Sequence, residues 1–406
     1  MLYSPTKPLP DKAPTRSIVL LAVAGFASQA QVRVTDSLLP QIANDFHTTV
    51  GVAAIVLTAY AVTHGFIQFV AGPMADRFGK YRTVAFASVL ASVLVALCGI
   101  AASLPQLALA RLGAGAVAGW VIPVSMAYLG DVTPSDKLQP MIARYSSGYI
   151  LGQLFGQAAG GVLGDWFGWR NVFFALGGMF ALAAIGLIFE LIANPKTRER
   201  GRHAADRRSF RADYAAVLSN PFARLILVLG FLEGGLAWGA FAYIGANLHQ
   251  RFGLSFTLVG LTVACFGVGG LIYAGLVRHF VLRFGQSGLP VIGGFLITAA
   301  YVVLTFQPTW WLAPIAVTAI GLGFYMFHNT LQTMATSMTP EARGTAVAIF
   351  SSALYFGQTA GVAAGALVID RLGAPPLFLG TAIAFPALAF WFARKLRERQ
   401  SRFGSV

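Results

Sequence analysis

Charged residues are scarce in this sequence. Asp, Glu, Lys and Arg make up only 11% of its 406 residues, whereas soluble globular chains carry about 25%. Hydrophobic residues make up 56%, and the mean hydropathy is +0.68. So much apolar surface needs lipid to cover it. The composition therefore excludes a sizeable soluble domain and predicts an all-α integral membrane protein.

Cysteine and enzyme motifs are also nearly absent. Cys98 and Cys265 lie in separate apolar runs, and neither has a Cys or His neighbour at the spacing of metal ligands. The chain contains no H-E-x-x-H, no G-x-S-x-G and no phosphate-binding loop. We therefore expect no enzyme activity, no metal and no cofactor. A sensor or scaffold would need a large extramembrane domain, and the chain leaves no room for one.

Long apolar runs fill most of the chain. Twelve of them reach the roughly 20 residues that a spanning helix needs. They predict twelve transmembrane helices in two six-helix halves, 1–193 and 225–406, joined by a basic linker at 194–224. The predicted spans are 17–39, 50–71, 84–103, 106–128, 142–163, 171–193, 225–246, 256–277, 289–306, 310–334, 344–368 and 376–394.

The net charge of +14 is distributed unevenly. With the amino terminus inside, 24 of the 29 Lys and Arg residues fall in inner tails and loops, while only Arg170, Arg251 and Arg371 face outward. Basic residues kept to one side are the positive-inside pattern. This pattern predicts a cytoplasmic-membrane protein with both termini in the cytoplasm. Orientation in the membrane and contact with membrane lipids therefore explain the high net charge, and no nucleic-acid partner is expected.

The two halves repeat one another at a constant offset of 205 residues. Residues 146–168 and 351–373 share eight identities without a gap. Parallel repeats of this kind are a transporter architecture, with the substrate site between the halves. The repeated pairs include Gly152 with Gly357, Gly156 with Gly361, Gly160 with Gly365, and Asp165 with Asp370.

The loop after the second span carries a recognisable motif. It contains Gly72, Asp76, Arg77, Gly79 and Arg82. This spacing resembles the signature loop G-x-x-x-D-R-x-G-R-R of the major facilitator superfamily. In such a loop, Gly allows two helices to approach closely. Asp can lie at a helix amino terminus or pair with Arg, and the basic residues hold the loop inside.

Two further segments extend the resemblance over nearly the whole chain. The run from Arg111 to Gly115 resembles the R-x-x-x-G motif of proton-coupled members. The run from Gly152 to Gly161 resembles the G-x-x-x-G-P-x-x-G-G motif of antiporters, with Gln157 at the Pro position. The resemblance implies the drug/proton antiporter or sugar-efflux branch, similar to arabinose efflux permeases. Members of that branch export small molecules using the proton gradient.

Ionisable side chains inside the spans are the candidate site residues, because each costs roughly 2.5–3.5 kcal/mol to insert. Arg33 and Asp36 share one helix face and can pair, and Arg111 lies at a similar depth. Glu233 lies among glycines, where apolar surroundings favour the protonated carboxyl, so it is a candidate proton carrier. Structural ion pairs and hydrogen-bonded packing remain the alternative interpretation of all four.

Two polar stripes complete the candidate set. The tenth predicted span, helix 10, carries Tyr325, His328, Asn329 and Gln332, and the second, helix 2, carries His64. Histidine can titrate near neutral pH, although a lone His is also a common packing residue. The resemblance implies that helices 1, 4, 7 and 10 line a central cavity, so that most of these side chains would face one another.

These observations predict a secondary active transporter that exports a small organic molecule in exchange for protons, by alternating access. The predicted partners are the small-molecule substrate, protons and membrane lipids, and the protein is expected to be a monomer. Two alternatives stay open: a proton symporter, or a facilitator, either of which would import a metabolite.

Overall fold

The computed structural model describes residues 15–198 and 210–403. The first part of the predicted amino-terminal tail and the centre of the predicted linker lie outside these residues. Every regular element among the described residues is helical. The helices are α1 (Thr15–Asp45), α2 (Val50–Ala53), α3 (Ile55–Phe78), α4 (Lys80–Gly99), α5 (Leu104–Ala118), α6 (Val121–Val132), α7 (Ser135–Phe167), α8 (Trp169–Ala193), α9 (Phe210–Ser219), α10 (Pro221–Phe241), α11 (Ile244–Phe252), α12 (Phe256–Phe306), α13 (Leu312–Ser337), α14 (Arg343–Leu372) and α15 (Ala374–Phe403), with short 3₁₀ turns at Pro195–Arg198 and Pro340–Ala342.

Glycines set the tight turns between successive long helices. Gly79 separates α3 from α4 with φ of 94°, and Gly168 and Gly373 each make an equivalent one-residue connection with φ of 80°. A side chain is strained in this region of backbone conformation, whereas glycine enters it freely. The glycine at position 79 of the signature loop is therefore required by the turn itself.

The protein is a multi-pass membrane protein. Among the described residues, ten helices are long and apolar enough to cross a membrane. One of them, α12, is 51 residues long and is interrupted at Gly285, where φ is 64°. The 33-residue α7 is not among the ten but packs along α1. The total of twelve crossings stays a prediction.

The chain reverses direction at Gly285. Gly269, before the break, lies against Thr318 in α13, while Gly293, after the break, lies against Gly323 in the same helix. On a straight helix these two glycines would be about 36 Å apart. Both parts of α12 therefore run beside α13 in opposite directions. We call the side where α1 begins the tail side and the side where α1 ends, at Asp45, the far side.

The repeated glycines have the same role in both halves. On α7, a Cβ added to Gly156 would lie 2.3 Å from the Ala30 carbonyl oxygen of α1. On α14, a Cβ added to Gly361 would lie 2.1 Å from the Gly235 carbonyl oxygen of α10. Gly152, Gly160, Gly357 and Gly365 make comparable contacts with the same two helices. Small residues thus bring the backbones of α1 and α7, and of α10 and α14, into direct contact.

The two halves are in direct contact on the far side, and a cavity lies between them on the tail side. A Cβ added to Gly161 of α7 would lie 2.5 Å from the Cα atom of Gly260 in α12. On the tail side, a cavity of about 910 Å³ lies between the ends of α3 and α6 and the start of α14. Residues of both halves line this cavity.

Candidate functional site

A buried acid and a histidine form the centre of the site in the second half. Glu233 of α10 is fully buried, and its Oε2 lies 3.1 Å from Nδ1 of His328 in α13. Its other oxygen, Oε1, is buried without a hydrogen-bond partner in the described part of the chain. A carboxylate in such a place is costly unless it is paired or protonated. The pair can therefore hold a proton at either of two adjacent atoms.

Aromatic rings form a wall beside this pair. The His328 ring stacks on Phe324, with ring centres 5.0 Å apart and an angle of 9° between the ring planes. Phe324 also packs against Trp238, at 5.1 Å between ring centres. Trp238 lies on α10, five residues after Glu233. The wall thus leads from the acid toward the boundary between the halves.

A cation from the first half completes this chain of contacts. The Arg33 guanidinium carbon lies 3.3 Å from the centre of the Trp238 ring, and Arg33 Nη1 lies 3.7 Å from Oδ2 of Asp36. Arg33 and Asp36 are both buried. A desolvated cation over an indole ring is a favourable contact of about 2 kcal/mol. Contacts therefore connect Asp36 on α1 to Glu233 on α10 across the boundary.

The partners of Arg111 all belong to the first half. It is fully buried, and its guanidinium donates hydrogen bonds to the carbonyl oxygens of Val56 and Gln31 and to the hydroxyl of Thr35. It also lies over the ring of Tyr60, at 4.2 Å. All of these partners belong to the first half, on α1 and α3. Arg111 thus joins three helices of one half.

His64 lies at the boundary between the halves. Its ring centre is 4.3 Å from that of Tyr355 on α14 and 5.4 Å from that of Tyr60 on its own helix. The side chain is buried, and within residues 15–198 and 210–403 its Nδ1 has no hydrogen-bond partner. Among the described residues, His64 thus lies between aromatic rings and has no acid beside it, unlike His328.

The polar stripe of the tenth predicted span, which is α13 in the structure, divides into two groups. His328 turns toward Glu233, and Tyr325 packs against Phe266 and Tyr273 of α12. Asn329 and Gln332 face a separate cavity of about 380 Å³ between α12 and α13. Successive residues on a helix point about 100° apart, so one stripe can serve two spaces.

The signature loop pairs its acid with a lysine. Asp76 Oδ1 lies 3.4 Å from Nζ of Lys80, and the same ammonium contacts Asp131 at the end of α6. Arg77 and Arg82 are exposed. Gly72 does not serve close helix approach here, because a Cβ added to it would meet nothing within 4 Å. The loop thus ties α3 to α6 within the first half.

Sequence reasoning missed the aromatic members of the site. Trp238, Phe324 and Tyr355 lie in apolar spans, where aromatic residues are common and suggest ordinary packing. Phe324 does lie four residues before His328, which places both on one helix face. That spacing was the available signal. The contact of Trp238 with Arg33 joins residues far apart in sequence and has no local signature.

Comparison with known proteins places the chain in a family. The model of the Major Facilitator Superfamily matches residues 21–340 and, in a second alignment, residues 235–405. The chain belongs to the Major Facilitator Superfamily. It is therefore a secondary transporter by family, as the signature-loop resemblance predicted. The second alignment covers most of the second half.

Several superfamily members are similar over nearly the whole chain. An "Uncharacterized MFS-type transporter" of Bacillus subtilis is 25% identical over 372 residues, covering 90% of this chain and 92% of that protein. A "Probable sugar efflux transporter" of Helicobacter pylori is 22% identical over 389 residues, covering 95% of this chain and 96% of that protein.

Solved structures share the fold. A bacterial homologue of the human lysosomal transporter Spinster, in an inward-facing and unoccupied conformation, aligns with a TM-score of 0.74 at 18% identity, over 94% of this chain and 98% of that one. The nucleoside transporter NupG aligns with a TM-score of 0.73 at 12% identity, over 93% and 98%.

Proposed function

We propose that this superfamily member exports a small organic molecule in exchange for protons, by alternating access of a site between its halves. The observation that carries the proposal is the buried Glu233–His328 pair, which reaches Arg33 and Asp36 of the other half through Phe324 and Trp238. A titratable acid in contact with the moving boundary is what coupling of protons to transport requires.

The mechanism follows from the charge on Glu233. When the carboxylate is ionised, Oε2 accepts a hydrogen bond from Nδ1 of His328. Protonation removes the negative charge and weakens this pair, so that the His328 ring and the stacked Phe324 are less constrained. Because Phe324 packs on Trp238 and Trp238 lies beneath Arg33, the change reaches the boundary. A substrate and a proton would then favour different arrangements of the same wall.

The side chains at the boundary between the halves suggest the class of substrate. Trp238, Phe324 and Tyr355 offer flat apolar surfaces, while Arg33, Asp36 and His64 offer hydrogen-bonding groups. Such a mixture suits a small organic molecule with both ring or aliphatic surface and polar groups. The name of the Helicobacter pylori relative supports export as the direction of transport.

Location and orientation are part of the proposal. The concentration of Lys and Arg in the tails and in the loops of one side supports a cytoplasmic membrane with both termini in the cytoplasm. The tail side would then be the cytoplasmic side. No cofactor is required, since the proton gradient supplies the energy, and a monomer contains the whole site.

Proteoliposomes with an imposed pH gradient test the coupling. A panel of dyes, drugs and sugars would be assayed for flux with and without the gradient. We expect Glu233→Gln to lower gradient-driven flux by about tenfold or more, which corresponds to about 1.4 kcal/mol or more. Gradient-free counterflow should remain. Asp45→Asn, at an exposed acid on the far side, serves as control. Equal gradient-driven flux in the Glu233→Gln and native proteins would refute the proton role.

The second candidate keeps the site and reverses the direction of net transport. Gln157 occupies the position that is Pro in the antiporter motif, and its side chain is fully buried. This departure weakens the antiporter assignment and keeps open a proton symporter or facilitator that imports a metabolite. Right-side-out and inverted vesicles distinguish the two. Substrate uptake that follows inward proton flow in right-side-out vesicles would support import and exclude exchange.

A further inference from the structure

Two acids at equivalent positions of the repeat bind across the boundary on the far side. Asp165, near the end of α7, accepts hydrogen bonds through Oδ2 from the backbone N–H of Thr257, at 3.2 Å, and from its hydroxyl, at 2.7 Å. Asp370, near the end of α14, accepts hydrogen bonds from the hydroxyl of Thr49, at 2.6 Å, and from the backbone N–H of Gly51, at 2.9 Å.

The two contacts are related by the internal symmetry of the chain. Asp165 belongs to the first half and binds the second, whereas Asp370 belongs to the second half and binds the first. Gly51 and Thr257 are each the second residue of a helix, in α2 and α12. The residues before these helices, Thr49 and Ser255, both cap them through their side chains. Each half therefore contributes one acid that binds at the start of a helix of the other half.

The surroundings of both contacts leave no room between the halves. A Cβ added to Gly51 would lie 2.4 Å from Oδ2 of Asp370. Four residues before Asp165, Gly161 packs directly on Gly260 of α12. These hydrogen bonds span only a few ångströms, so they require the halves to be in contact on the far side. A separation of the halves there breaks all four.

We propose that Asp165 and Asp370 are gating residues, a pair of latches that hold the far side closed while the cavity between the halves lies on the tail side. The proposal rests on the alternating-access function above. Hydrogen bonds to a carboxylate are stronger than those between neutral groups, so each latch contributes to the preference for this conformation. Because the latches are separate, loss of one leaves the other in place.

Distances between spin labels test the latches without substrate or gradient. Labels would be placed at Trp166→Cys on the first half and Leu372→Cys on the second. Both positions are exposed at the far-side ends of α7 and α14. The background would carry Cys98→Ser and Cys265→Ser. In lipid nanodiscs we expect Asp165→Ala with Asp370→Ala to raise the ratio of long to short label distances by about tenfold or more. Each single variant should give a smaller increase.

Matched variants separate the latch from general effects. Asp45→Ala removes another far-side acid, which pairs with Arg170 inside the first half, at 2.5 Å. This variant should leave the distances unchanged. Thr49→Val with Thr257→Val keeps both acids but removes one donor from each latch, and it should give an intermediate ratio.

Two results would overturn the proposal. One is a native distance distribution in a double alanine variant that remains monodisperse. The other, if that variant does not fold, is a native distribution in the Thr49→Val and Thr257→Val protein. If the variants show the expected distances but the native protein shows no gradient-driven flux, the gating role of the two acids stands and the proposed proton coupling is refuted.

Discussion

Arg111 and Glu233 are both completely buried charged side chains, yet their surroundings differ. Arg111 donates to two carbonyl oxygens and a hydroxyl, all of the first half. Glu233 has a titratable partner, His328, and one oxygen without a hydrogen-bond partner among the described residues. The first environment holds one charge state permanently, whereas the second can accommodate two. Burial alone therefore does not identify a coupling residue, and its partners are the better guide.

The largest expected effect is the loss of Arg111. Arg111→Met leaves the carbonyl oxygens of Val56 and Gln31 and the hydroxyl of Thr35 without this donor. At about 1–3 kcal/mol for each buried group, the free energy of unfolding should fall by about 3 kcal/mol or more. Thermal denaturation in detergent measures this change. Arg278→Met, at an exposed arginine, is the control and should unfold at the native temperature. A native unfolding temperature for Arg111→Met would remove the contrast with Glu233.

Changes at His328 test the other side of the contrast. His328→Gln retains a hydrogen-bond donor for Glu233, so gradient-driven flux should fall by about threefold, less than 1 kcal/mol. His328→Leu removes the partner of Oε2 and should reduce the flux as far as Glu233→Gln does. His328→Gln should unfold near the native temperature, and His328→Leu should lose less stability than Arg111→Met, because only one buried acceptor loses its partner. A large loss of stability instead would show that this pair is as structural as Arg111.

Close backbone packing of α10 on α14 holds Glu233 in position, whereas hydrogen bonds hold Arg111. A Cβ added to Gly234, next to the acid, would lie 2.1 Å from the Leu354 carbonyl oxygen of α14. Gly234→Ala should therefore destabilise the protein by about 1–3 kcal/mol through overpacking. Gly178→Ala on α8 is the matched control, because its Cβ would meet nothing within 4 Å. Equal unfolding temperatures for the two variants would contradict the close approach of α10 and α14.

The smallest expected effect is at the contact between the halves. Trp238→Phe keeps a ring beneath Arg33 and beside Phe324, but a phenyl ring attracts the Arg33 guanidinium less strongly than an indole ring does. Gradient-driven flux should fall by about twofold, and Trp238→Leu should reduce it further. Initial rates at saturating substrate provide the measurement. Native rates in Trp238→Leu would mean that Arg33 and Glu233 act without this link.

Much of the fold was predictable from the sequence, and less of the site. Apolar runs, the signature loop and the 205-residue repeat predicted a helical transporter of this superfamily, because membrane burial imposes helix length and composition locally. Arg33 and Asp36 were correctly placed on one helix face, since that depends only on their spacing.

Relations between helices were less accessible. Arg111 was predicted at a depth similar to that of Arg33 and Asp36, but its acceptors on α1 and α3 have no signal along the chain, because any buried carbonyl or hydroxyl oxygen can accept from a guanidinium. Asn329 and Gln332 share a stripe with His328, but the rotation of α13 against its neighbours turns them toward another cavity. Such choices depend on tertiary packing, which spacing along the chain does not encode.

The glycine contacts of α7 and α14 have a consequence for evolution. Both helices support their neighbours, α1 and α10, largely through main-chain atoms, and these neighbours carry Arg33, Asp36, Glu233 and Trp238. A side chain that faces the central space can therefore be exchanged without rebuilding the surface behind it. New cargo specificities could arise by single substitutions on α1 and α10 while the glycine positions stay constant, which makes these two helices the first targets for directed evolution.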